Sequence, residues 1–207
     1  METIKKSLAI LIIILSVSWS AKSQDYSAIQ KAFKQSYQFE YSGEYVKAIE
    51  SLKNVYAEDS YELNLRLGWL HYMAGYFTES LAYYQRCIDL KPLSLEAKFG
   101  YVYPASAIGN WEQVKKQYND ILAIDPQNTT ANYRLGSIYY GNEDYTTALG
   151  FFEKVVNLYP FDYDGLIMFA WTNLKLGKLR EAKVLFNKVL MYKPDDSSAL
   201  EGLSVIN

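Results

Sequence analysis

The chain sets apolar stretches at helical spacing against short polar turns, and the alternation is periodic. Pro92, Pro126, Pro160 and Pro194 stand 34 residues apart. Each closes an apolar helical pattern that ends in a short run: CIDLKP, ILAIDP, VVNLYP and VLMYKP. A proline past the last turn stops a helix without breaking its interior, because it lacks an N–H and fixes φ. Self-similarity at this period marks stacked helical units, each of which buries its apolar face against its neighbours. Copies are predicted at 29–60, 61–94, 95–128, 129–162 and 163–196. The first 23 residues and the tail from 197 to 207 fall outside the period.

The slots inside each copy agree. Residues 129–162 carry Leu135, Gly136, Tyr139, Tyr145, Ala148, Phe152 and Pro160. Residues 61–94 carry Leu67, Gly68, Gly75, Tyr84 and Pro92, with Ser80 where the other copies favour alanine. Residues 163–196 carry Gly177, Ala182, Phe186 and Pro194. Residues 95–128 carry Gly109, Trp111, Tyr118 and Pro126, with Val114 in the small slot. Residues 29–60 form a weaker copy with Gly43, Tyr45, Ala48 and Leu52, two residues short and without the proline. This set resembles the tetratricopeptide repeat. The resemblance implies an all-α, right-handed α-solenoid of about five helix–turn–helix repeats over residues 24–207. Small residues would let the two helices of a repeat approach, large ones would fill the space between them, and the glycine after the first helix would take the left-handed conformation.

Three segments need separate readings. The tail, DDSSALEGLSVIN, is read as a short capping helix over 197–207. Ser197 or Ser198 is its N-cap candidate, and Ala199, Leu200 and Leu203 are expected to face the last repeat. Pro104 falls within the first helix of the third copy, where it removes the backbone bond to Gly100 and predicts a bend. The N-terminus has Lys5 and Lys6, an apolar run from Leu8 to Val17, and small residues Ala21 and Ser23. That order reads as a secretory signal peptide cleaved near Ser23 or Gln24. The run is short of the roughly 20 apolar residues that a span needs. A periplasmic or secreted protein is therefore expected, and a retained anchor is the lesser alternative.

Composition narrows the chemistry. Half the residues are hydrophobic, so a packed core can form. A net charge of −2 argues against a nucleic-acid partner, which would call for a basic excess. One cysteine and one histidine leave little scope for a disulfide framework, a cysteine metal site or a histidine-based catalytic array. His71 and Cys87 fall in core slots, and no phosphate loop or nucleophile–base set is present. Asn128-Thr129-Thr130 fits a glycosylation acceptor. No enzyme and no cofactor is expected.

Tyrosine is abundant, with 20 residues. Many fall in packing slots. In arrays of the resembled family the first helix of each repeat lines a concave groove, and the matching positions here are aromatic. They are Phe33, Tyr37 and Tyr41 in the first copy, then Trp69 and Tyr72, Phe99 and Tyr103, Tyr133 and Tyr140, and Trp171. Glu40, Glu62, Glu96 and Asp164 add negative charge. The expected partner is a protein or peptide with apolar anchors and basic flanks, held in that groove. The alternative is an envelope glycan stacked on the same rings, and a homo-oligomer is possible. The lysine and asparagine that grip a chain-end carboxylate in the best-known family members are replaced here by Phe33 and Tyr37, Leu65 and Trp69, and Phe99 and Tyr103.

Overall fold

The structure is a computed structural model that describes residues 26–206. The signal-peptide expectation lies outside those residues. Eleven α-helices and no strand occur among the described residues. None of these helices is long and apolar enough to cross a membrane.

The chain divides into two compact units, with the boundary after Val55. The first holds α1 (Tyr26–Tyr41) and α2 (Tyr45–Lys53), packed on one another. Ala32 and Ser36 of α1 are buried, as are Ala48, Ile49 and Leu52 of α2. Between them Gly43 takes φ 74°, and the Gly43 and Glu44 amides return to the carbonyls of Glu40 and Phe39. A side chain at that φ would press on the following carbonyl, which is why glycine suits the turn.

The second unit holds the remaining nine helices: α3 (Tyr61–Met73), α4 (Phe77–Leu90), α5 (Leu95–Ala107), α6 (Trp111–Ile124), α7 (Thr129–Gly141), α8 (Tyr145–Leu158), α9 (Tyr163–Lys175), α10 (Leu179–Tyr192) and α11 (Ser197–Ile206). Each packs on the next in chain order, as in an α-solenoid. The cap residues repeat with the same period as the prolines. The side chains of Ser60, Ser94, Asn128, Asp162 and Asp196 each accept from the backbone N–H three residues on. This satisfies one of the orphan donors at each helix start. The N-cap of α11 is therefore Asp196, not Ser197 or Ser198. Asp196 is the better cap because its carboxylate also accepts from the Tyr163 hydroxyl at 2.7 Å. The Asn128 side chain is spent in the same way, bonded to Ala131 and Asp125, so the glycosylation triplet begins on a cap.

Close packing rests on rings laid over glycines. Tyr84 lies between two of them. A methyl at Gly68 would stand 3.1 Å from one edge of its ring, and one at Gly100 would stand 2.1 Å from the other. Phe152 covers Gly136, and Phe186 covers Gly202 of α11. The cap thus meets the last repeat as α5 meets α4, ring on glycine. Leu203 and the buried Ala199 join that core, but Leu200 is half exposed and does not face the repeat as expected. Helical geometry explains this, since Ala199, Gly202 and Leu203 share a face that Leu200 lies beside.

Pro104 is buried and α5 continues through it to Ala107. Gly100 has a second use that the sequence reading did not see: it is the seat of the Tyr84 ring. The left-handed turn residue is glycine at 75, 109 and 177, but in the fourth repeat it is Glu143 at φ 62°.

Candidate functional site

The inter-repeat junctions of the second unit are not equal. At α4–α5, α8–α9 and α10–α11 a glycine lets the helices close: Gly100, Gly165 and Gly202. At α6–α7 there is none. Tyr118 fills the slot of Tyr84 and Phe186, and Arg134 stands where Gly100 and Gly202 stand at α4–α5 and α10–α11; at α8–α9 that position is Met168 and the close approach is at Gly165 instead. A ring facing a long arginine side chain stands further from the helix backbone than one laid over a glycine. The α6–α7 contact is accordingly the sparsest between successive helices of the unit, and α5 barely touches α7.

A cleft of about 740 Å³ opens there. From α5 come Phe99, Val102, Tyr103 and Ser106. From α6 come Trp111, Glu112, Val114, Lys115 and Tyr118. From α7 come Thr130, Arg134, Ser137 and Ile138, with Gly141 and Asn142 at its end. The volume lies within the range of roughly 300–1,000 Å³ that ligand pockets occupy. Phe99 meets Tyr118 edge-on at 6.3 Å and fixes the floor. Trp111 is 53% exposed, although it opens a well-formed helix with Asn110 as cap. Tyr103 is 50% exposed.

The electrostatics of the cleft are mixed, with an excess of positive charge. Lys115 and Glu112 pair at 2.7 Å, and this contact holds the Lys115 ammonium above its ordinary value. Arg134 makes no ion pair among the described residues. Burial pushes the Tyr118 hydroxyl up, and the nearby Arg134 charge works against it. Two of the acids expected to tint the groove negative are engaged elsewhere. Glu62 pairs with Lys91 at 3.5 Å, and Glu96 accepts from the Tyr61 hydroxyl at 3.3 Å.

The ten aromatics expected to line a groove divide into groups. Trp69, Tyr72 and Tyr103 form one cluster with centroids 5.6–6.2 Å apart, and Phe77 joins it on Tyr72. Tyr103 belongs both to that cluster and to the cleft, where Phe99 also lies. Tyr133 packs edge-on against Phe152, and Tyr140 against Tyr145; neither lines the cleft. Trp171 leans on Phe186, and its indole donates to Ser198 at 2.8 Å, so it helps fasten the cap. Phe33, Tyr37 and Tyr41 lie on α1 of the first unit, with Tyr41 almost fully exposed. Sequence reasoning did not single out Trp111, Arg134, Lys115 or Tyr118 as site residues. Arg134 did not stand out, because the positions at the same 34-residue spacing vary: Arg66, Gly100, Met168 and Gly202.

His71 is buried and its Nδ1 meets the Leu67 carbonyl at 2.8 Å. Cys87 is fully buried, and burial pushes its thiol up to about 12. No group of histidine, cysteine or acidic side chains among the described residues could hold a metal ion.

Family models for the tetratricopeptide repeat match residues 33–94, 130–162 and 163–196, together more than half of the chain. The chain belongs to the tetratricopeptide repeat family. Among curated relatives, the TPR repeat-containing protein YpiA of Bacillus subtilis is 26% identical over 168 residues, covering 79% of this chain and 40% of that protein. The protein O-mannosyl-transferase TMTC1 of Homo sapiens is 25% identical over 139 residues, covering 64% of this chain and 16% of that protein. The chain thus spans less than half the length of the curated relatives it matches. Among solved structures, a tetratricopeptide repeat protein from Parabacteroides merdae superposes with a TM-score of 0.73 at 22% identity, covering 87% of this chain and 72% of that one. YrrB, described as a tetratricopeptide repeat protein with an unusual peptide-binding site, superposes with a TM-score of 0.64 at 20% identity, covering 78% and 81%. At these identities the structural likeness establishes the repeat fold.

Proposed function

We propose that this tetratricopeptide repeat protein is a non-enzymatic scaffold that holds a protein or peptide partner along α3, α5 and the α5–α6–α7 cleft, outside the cytoplasm. The observation that carries the reading is Tyr103. It is half exposed, and it joins the Trp69–Tyr72 cluster to a cleft of about 740 Å³. An aromatic strip continuous with a pocket gives an extended segment both a track and an anchor. Trp69 and Tyr72 are half-buried beside the exposed Tyr103, and apolar surface left open to solvent in this way marks a contact site. The unusual peptide-binding site of YrrB, which shares the fold, fits this reading. The extracytoplasmic setting rests on the Lys5–Ser23 sequence pattern.

The test is a comparison of the protein with a Trp69→Ala/Tyr103→Ala variant in affinity capture from the native cell envelope. With the helical circular dichroism unchanged, the variant is expected to lose the proteins that the parent retains. Capture of the same proteins at the same yield refutes the reading. Fractionation of cells that carry the full chain tests the setting, and protein found only in the cytoplasm refutes that part.

A further inference from the structure

We propose that the α5–α6–α7 cleft selects an extended segment bearing an acidic side chain next to a large apolar one, with Arg134 receiving the carboxylate. This deepens the binding reading above and rests on it. It also reverses the polarity expected from the groove acids alone, which pointed to basic flanks.

The chain carries a net charge of −2, so its average field repels anions. The cleft is a local exception. Arg134 and Lys115 stand on its walls against a single carboxylate, Glu112, which is already bonded to Lys115. Arg134 is left without an ion-pair partner among the described residues. A guanidinium offers a planar fork of donors that matches a carboxylate, and such charge-assisted bonds are the strong ones. Of the four acids that would have drawn a basic segment, the two on α3 and α5 are engaged, Glu62 by Lys91 and Glu96 by the Tyr61 hydroxyl.

The remaining walls set the neighbour of the acid. Phe99, Tyr103 and Ile138 present rings and methyl groups, which suit a large aliphatic or aromatic side chain. An acid within a segment leaves the chain free to run on in both directions from Arg134, which a chain end would not. The aromatic strip runs on past Tyr103 to Trp69 and Tyr72, so a bound segment has surface to follow beyond the cleft.

The experiment is selection of random peptides displayed inside a carrier loop, with no free terminus, on the whole protein. Affinity is then measured with end-blocked synthetic copies of the enriched peptides. Enriched sequences are expected to carry Asp or Glu beside Phe, Leu, Ile or Tyr. Changing that acid to its amide should weaken binding roughly tenfold, and Arg134→Gln should abolish the difference between acid and amide. Enrichment of basic or uncharged peptides overturns the proposal, as does an acid preference that survives Arg134→Gln. The broader reading has its own control. Tyr103→Ala with Trp111→Ala should weaken acid and amide peptides alike; if both bind as before, the groove itself is wrongly assigned. A selection that enriches nothing overturns both.

Discussion

Gly100 should tolerate no side chain, and the size of the penalty can be worked from its surroundings. Replacing a glycine inside a helix by alanine ordinarily stabilises by about 1 kcal/mol, because the glycine backbone loses more freedom on folding. Gly150 in α8 has nothing within 4 Å of an added methyl, so Gly150→Ala should show that gain. At Gly100 the added methyl would lie 2.1 Å from Tyr84 Cε1 and 2.6 Å from its Cδ1 and Cζ. The ring would have to retreat by well over an ångström. Its room to do so is limited, because its opposite edge lies over the Gly68 backbone and the side chain is almost fully buried. Overpacking of this kind costs up to about 3 kcal/mol. Set against the helical gain, Gly100→Ala should lose about 2 kcal/mol. That corresponds to a fall of roughly 4–8 °C in Tm for a chain of this size. Urea denaturation followed by circular dichroism gives the number. Combining Gly100→Ala with Tyr84→Leu should cost less than the two separate losses together, since the clash is removed with the ring. A Gly100→Ala protein as stable as the parent would refute the account of repeat packing by rings on glycines.

Three further outcomes follow from the same structure. Glu143 holds a left-handed φ of 62° where the other turns use glycine, so Glu143→Gly should stabilise by about 1 kcal/mol in thermal melts. The hydrogen bond from the Tyr163 hydroxyl, more than any other contact, lowers the Asp196 carboxyl from its ordinary 3.8. A lowered folded value means that its contribution is complete above 3.8 and is lost as the pH falls below it. The Tm difference between the parent and Asp196→Asn should therefore be constant near neutrality and shrink on acidification below that value. Cys87 is buried with its thiol pushed up to about 12, so a thiol reagent at neutral pH should label it only as fast as the protein opens. Rapid labelling of the native protein would refute that placement.

The periodic features were legible in the chain itself. Prolines at a 34-residue spacing, glycines at the turns and rings in fixed slots specify helix ends and helix contacts, and these depend on residues a few positions apart. The family and the all-α class follow from them. The cap series Ser60, Ser94, Asn128, Asp162 and Asp196 was equally periodic, and Asp196 was overlooked only because the serines after it are also good caps. The candidate site was half legible. Sequence slots marked Trp69, Tyr72, Phe99 and Tyr103, but not which of the ten aromatics would meet. Trp171 turned to the cap, and Tyr133 and Tyr140 were taken up by Phe152 and Tyr145. What only the tertiary structure decided is that one junction stays open. A repeat pattern describes each unit as equivalent to the next, whereas a cleft is a difference between units. That difference lies across helices: Arg134 and Tyr118 line an open cleft at α6–α7, whereas Tyr84 closes on Gly100 and Phe186 on Gly202.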